Sequence, residues 1–157
     1  MESIKKLSKE EFDKIYQRVP RICVEVIVNT SQGIILTKRL IPPCVGMWHI
    51  PGGTVYFGEK LEEAVNRIAD DELGIDVDIK KMVGIIEYPN KLCEATIHAI
   101  GIAFLCEPKS KEPKFRGSFQ GEEIEAFKTI PDNTVSAQKR FLDKLEIDKE
   151  IEKILIM

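Results

Sequence analysis

The chain has 157 residues, 43% of them hydrophobic and 31% charged, with a formal charge of −3 at pH 7; this describes one ordinary folded domain and excludes collagen-like, disordered and disulfide-stapled classes. At this length folding buries roughly 70% of the unfolded surface, so a core can form without disulfides or a structural metal. The mild acidity argues against nucleic acid or a membrane surface as partner, since those call for clustered Lys and Arg, but leaves room for a small phosphate ligand met through a carboxylate-bound metal.

The first residues, MESIKKLSKEEF, are charged and carry no apolar leader, and the longest mostly apolar run, Ala95 to Cys106, contains His98. It falls short of the ~18 residues a membrane span needs, so a cytoplasmic protein is expected. Ser8-Lys9-Glu10-Glu11 is a capping box that predicts a helix over about 8–18. Dense β-branched residues from Arg21 to Thr30, a turn at Thr-Ser-Gln-Gly and a second run from Ile34 to Lys38 predict a hairpin. Leu40 to Met47, with Pro42, Pro43 and Gly46, reads as a loop leading to Trp48-His49-Ile50 and Pro51-Gly52-Gly53.

Helical periodicity then runs from about Lys60 to Gly74, a natural C′ residue. Two long strands, Ile75 to Tyr88 and Lys91 to Cys106, are expected around a Pro-Asn turn. A loop over Glu107 to Gly121, a short strand from Glu122 to Lys128 and a C-terminal helical region over 136–157 complete the order. Strands outnumber helices without alternating with them, which predicts a single domain over 1–157 with a mixed sheet and a few packed helices. Cys23, Cys44, Cys93 and Cys106 form no C-x-x-C pair and are expected as reduced thiols.

Glu59 to Gly74 carries the most chemistry. At ~100° per residue Leu61, Val65 and Ile68 share one stripe, and Glu72 continues it. A carboxylate on an apolar face is costly to bury unless it is protonated, hydrogen-bonded or paired with a cation. Asp70, Asp71 and Glu72 also crowd the last turn, where the helix macrodipole disfavours each acid by a few tenths of a kcal/mol to ~1 kcal/mol. A divalent cation, Mg²⁺ or Mn²⁺, would compensate, because the available ligands are hard oxygens; Arg67, four residues before Asp71, would supply part of it, and a solvated helix end is the plain alternative.

These residues resemble the Nudix hydrolases, whose box reads G, five residues, E, seven residues, R-E-U-x-E-E-x-G-U, with U bulky and aliphatic. Gly53, Glu59, Arg67, Glu72, Gly74 and Ile75 match at that spacing, over about 53–75, with Asp71 a like-for-like acid and Ile68 in place of the first glutamate. The lead-in Trp48-x-x-Pro51-Gly52-Gly53 and the later Glu122 to Phe127 also fit.

The resemblance implies an α/β (α+β) Nudix fold, an α/β/α sandwich around a mixed sheet. It further implies Mg²⁺-dependent hydrolysis of a nucleoside diphosphate linked to another group, with the Gly52 carbonyl, Asp71 and Glu72 as metal ligands and Arg67 orienting the carboxylates. Glu123, with Glu122 beside it as the alternative, is the candidate base, and Arg39 and Glu25 are the candidate substrate contacts.

The GDP-mannose mannosyl hydrolases, which attack the sugar carbon, are the subgroup the chain looks similar to in its N-terminal helix, Glu25, Lys38-Arg39 and Gln120, the last implied as a metal ligand. Gly121 and Thr54 depart from their histidine and arginine, which argues against that activity. A non-catalytic module that binds a nucleotide metabolite or a protein is the remaining alternative, and pairing of exposed strand edges leaves a homodimer open. His49 and His98 are expected in structural or surface roles, Trp48 in the core, and Lys109, Lys111, Lys114 and Arg116 on a solvated loop.

Overall fold

The computed structural model describes residues 6–89, 92, 93, 95, 98–117 and 123–145. The elements are α1 (Lys9–Tyr16), β1 (Arg21–Thr30), β2 (Gly33–Lys38), β3 (Trp48–His49), β4 (Gly52–Thr54), α2 (Leu61–Ile68), β5 (Val77–Tyr88), β6 (Ala99–Pro108), β7 (Glu123–Phe127) and α3 (Ser136–Lys144). Ser8 caps α1 as its spacing predicts: its hydroxyl accepts from Glu11 N–H, and the Glu11 carboxylate accepts from Ser8 N–H.

The sheet is mixed, in the order β3-β2-β1-β6-β5, with β4 attached to β1 and β7 to β2. β1 lies at its centre, parallel to β6 from Arg21↔Ala99 to Val28↔Cys106 and antiparallel to β4 and β2. A central strand is covered on both faces, and Cys23 to Val28 are all buried.

Alternation along β1 divides the interior into two layers. Val24, Val26 and Val28 pack with Ala64, Val65, Ile68 and Leu73 of the α2 segment, while Cys23 and Ile27 lie in the layer that contains Val135 and Leu142 around α3. The helices therefore sandwich the sheet, as the α/β/α expectation requires.

Two expectations are corrected. The strand expected from Lys91 starts only at Ala99; before it, the described residues form an isolated bridge between Leu92 and Ala95, and Cys93 has a left-handed φ of 52° that an extended strand does not accommodate. Cys44 and Cys93 are not reduced thiols but a disulfide, their Cα atoms 5.3 Å apart. They sit in loops 49 residues apart in sequence that only the tertiary fold brings together. Cys23 and Cys106 are free and buried, as expected. The helical region expected over 136–157 is α3 as far as Lys144; residues 146–157 lie outside the described residues.

Candidate active site

The acid-rich helix does not keep its α-geometry to the end. After Ile68 it widens into a π-turn over Ala69–Leu73, closed by Gly74 in the left-handed region at φ 67°. Such turns are rare and often sit at functional sites. This one spreads the three acids: Asp70 and Asp71 are exposed, while Glu72 is partly buried, with its Oε2 shut off from solvent. The partial burial matches the stripe reading. Gly74 is required both by its φ and by its neighbour, since a Cβ there would lie 2.8 Å from the Cβ of Arg116.

Arg67 forms the rigid centre of the segment. Its Nε and Nη2 donate to the two carboxylate oxygens of Glu59 at 2.7 and 3.0 Å, Nη2 also donates to the Thr54 carbonyl at 2.8 Å, and its guanidinium lies 3.9 Å from the Tyr56 ring centroid. Asp71 is a looser partner at 3.8 Å. Burial works against the charge on Glu59, but the Arg67 hydrogen bonds, the Tyr56 N–H and the Arg67 charge outweigh it and hold its pKa below the ordinary value.

Strand register explains how a backbone carbonyl can join this site. Val26 N–H donates to Pro51 O and Val55 N–H to Ile22 O, four residues apart on each strand. Antiparallel pairs alternate between hydrogen-bonded and non-bonded rungs, so Val24↔Gly53 is the bonded rung between them. Gly52 and Thr54 then turn their carbonyls away from β1. Thr54 confirms the direction, because its carbonyl meets Arg67 of α2.

The strand-to-helix contacts step from Thr54–Arg67 to Gly53–Ile68, where a Cβ on Gly53 would come within 2.6 Å of Ile68 Cδ1. Gly52 precedes Gly53 on the same strand, and Asp71 and Glu72 follow Ile68 on the same helical segment. A carbonyl and carboxylates form a hard-oxygen donor set that fits Mg²⁺ or Mn²⁺. Among the described residues no three His, Cys, Asp or Glu side chains converge into a group that could hold a metal by themselves. Ile68, which stands where the family places a glutamate, is buried against Gly53 and fills that slot with hydrocarbon.

The other candidates are placed elsewhere. Arg39 donates from Nε to Pro43 O and from Nη2 to Pro42 O at 3.3 Å, fastening its own loop. Glu123 is exposed on β7, opposite Lys38 on β2, with 3.9 Å between Oε2 and Nζ. Gln120 lies outside the described residues. His49 is structural: Nδ1 donates to Ile50 O at 2.9 Å, which leaves Nε2 to accept from the Thr37 hydroxyl at 2.8 Å. Trp48 is in the core, edge-on to Phe127. His98, Lys109, Lys111, Lys114 and Arg116 are exposed; the Arg116 N–H donates to the Leu73 carbonyl at the end of the π-turn.

Glu25 is neither on an exposed edge nor open to a ligand. It is 5% exposed in the central strand and accepts from the Tyr88 hydroxyl at 3.0 Å. Burial pushes its pKa up to about 8, against the Tyr88 hydrogen bond and the Arg21 charge, which pull it down. Between its ordinary 4.5 and about 8 the unfolded chain releases this proton while the folded chain keeps it. Glu25 therefore costs stability as pH rises through that window, by about 1.4 kcal/mol per pH unit, and no further above it. Glu25→Gln keeps an acceptor for Tyr88 and should remove this slope. Urea melts at pH 6 and pH 8 should show wild type losing about 2 kcal/mol more than the variant; parallel losses would refute the assignment.

A family model described as NUDIX domain matches residues 19–148. The chain is 36% identical over 83 residues to the low-salt glycan biosynthesis protein Agl8 of Haloferax volcanii, covering 53% of each chain. It is 32% identical over 105 residues to an ADP-ribose pyrophosphatase of Methanocaldococcus jannaschii, covering 66% of this chain and 61% of that one. The match thus spans about half to three-fifths of those relatives. Among solved structures, a MutT NUDIX hydrolase from Burkholderia pseudomallei superposes with a TM-score of 0.62 at 24% identity, covering 80% of this chain and 98% of that one. A bifunctional NMN adenylyltransferase/ADP ribose pyrophosphatase from Francisella tularensis, complexed with AMP and Mn ion, gives 0.69 at 16% identity, covering 88% and 46%.

Proposed function

Since the chain belongs to the Nudix family, we propose that it is a Mg²⁺- or Mn²⁺-dependent hydrolase that adds water across the diphosphate of a nucleoside diphosphate linked to a second group. The observation that carries this reading is the Gly52 carbonyl turned away from β1, on the strand whose Gly53 and Thr54 meet Ile68 and Arg67 of the segment that continues into Asp71 and Glu72. Those three groups would hold the cation, which supplies charge neutralisation for the diphosphate and Lewis acidity at phosphorus. Arg67 keeps the helix seated on β4 through Thr54 and orients Asp71.

The relatives named ADP-ribose pyrophosphatase and glycan biosynthesis protein support nucleoside diphosphates joined to a sugar as the substrate class. A panel of ADP-ribose, nucleotide sugars, dinucleoside polyphosphates and nucleoside triphosphates with Mg²⁺ or Mn²⁺ tests this. Cleavage of a P–O–P link should release a nucleoside monophosphate and a phosphorylated partner, with ¹⁸O from labelled water appearing in phosphate. Release of free sugar with an intact nucleoside diphosphate would move attack to carbon. Ile68 favours one second reading, a non-catalytic nucleotide-binding module, because it removes a carboxylate that the family's box carries. Metal-independent nucleotide binding with no turnover across the panel would establish that reading and end the hydrolase one.

A further inference from the structure

A buried chain of hydrogen bonds runs from α3 through β5 to β1, on the face of the sheet opposite the acid-rich helix. Gln138 Oε1 accepts from Ile50 N–H at 2.7 Å. Its Nε2 donates to the Tyr88 hydroxyl at 2.9 Å, and that hydroxyl donates to Glu25 Oε1 at 3.0 Å. All three side chains are buried, at 6%, 5% and 5% exposure. Each link joins residues 50 or more positions apart, so the chain is a tertiary device and not a local turn.

Its far end stops against the glycine of the active site. Glu25 is the register partner of Gly52, and the non-bonded rung of an antiparallel pair places the two Cα positions close, with side chains on one face. A Cβ on Gly52 would overlap Glu25 Oε2 and lie 2.8 Å from Val24 O; a Cβ on Gly101 would lie 2.7 Å from Glu25 Cγ. Two glycines on flanking strands therefore leave room for one carboxyl group. The tripeptide Ile50-Pro51-Gly52 is held at three points: Ile50 N–H by Gln138, Pro51 O by Val26 N–H, and the Gly52 Cα by Glu25.

We infer that Tyr88 and Gln138 are positioning residues that fix the Gly52 carbonyl for the divalent cation, acting through Glu25 and Ile50. The inference rests on the proposed function above, which supplies the role of Gly52. Outer partners that orient a metal ligand typically change metal affinity by 10–100-fold when removed. A carbonyl on a three-residue strand gains its fixed direction from what grips its peptide, and here β1 supplies part of that grip and a helix on the other side of the sheet supplies the rest.

Mn²⁺ binding to the full chain, followed by loss of the free-ion EPR signal, tests this without turnover. Tyr88→Phe and Gln138→Leu should each weaken Mn²⁺ about tenfold. Leu36→Ala, a cavity of similar cost in the same core layer but outside the chain, should leave the affinity unchanged. Tyr88→Phe keeps the buried ring, so a folded protein can be measured even where Gln138→Leu does not refold. Wild-type affinity in Tyr88→Phe, or an equal loss in Leu36→Ala, overturns the inference. If in either case Glu72→Gln has lost the ion, the metal reading stands; if wild type binds no Mn²⁺ or Glu72→Gln binds it fully, both fall.

Discussion

Replacing Glu72 by Gln is expected to lower kcat about a thousandfold on the best substrate of the panel, at saturating Mg²⁺. The substitution keeps shape, removes the charge and turns one acceptor oxygen into a donor, at a partly buried position in the π-turn. A metal site contributes several kcal/mol of charge stabilisation in the transition state, and a thousandfold corresponds to about 4 kcal/mol. The loss should appear in kcat and in kcat/KM together, with the melting temperature changed by only a degree or two. Asp71→Asn, at a side chain 60% exposed, should cost closer to tenfold because water competes there for every contact. A Glu72→Gln enzyme that retains more than a tenth of wild-type kcat would remove Glu72 from the metal site.

Arg67→Ala is the largest expected stability effect. Glu59 has a side chain only 3% exposed, and its two oxygens face Arg67. Removing the cation leaves a buried carboxylate uncompensated, which costs about 3–5 kcal/mol. For a chain of this size that is a fall in melting temperature of about 10 °C. Arg67→Lys should recover little, because an ammonium cannot make the two-oxygen pair, reach the Thr54 carbonyl and stack on Tyr56 at once. Adding Glu59→Gln to Arg67→Ala should return part of the loss by abolishing the stranded charge, a coupling a double-mutant cycle measures directly. A loss below 1 kcal/mol in Arg67→Ala would show that water reaches Glu59.

The contrast between these two residues indicates what the chain discloses in one dimension. The box was legible because its chemistry is local: Gly53 to Ile75 is one loop and one helix, so spacing alone places Arg67 four residues from Asp71 and a left-handed glycine after the last turn. Ser8 and Glu11 were legible for the same reason. Arg39 and Glu123 were not, since residue type and strand position say nothing of which carbonyl or lysine will claim a side chain. Glu25 was conspicuous as an acid inside an apolar strand, but its partners lie 63 residues away at Tyr88 and, beyond it, at Gln138. The parallel alignment of β1 with β6 is likewise a property of the assembled sheet. No helix among the described residues is long and apolar enough to cross a membrane.

The Cys44–Cys93 bond makes the chain a closed ring with two tails. The ring contains β3, β4, α2 with its π-turn, and β5, so every proposed cation ligand among the described residues lies on it. A single backbone cut in the Tyr56-Phe57-Gly58 turn, where Phe57 is fully exposed, would leave one covalent molecule that separates into two fragments only after a thiol is added. Both halves of the site, Gly52 on one side of the cut and Glu72 on the other, would remain tethered to each other by sulfur.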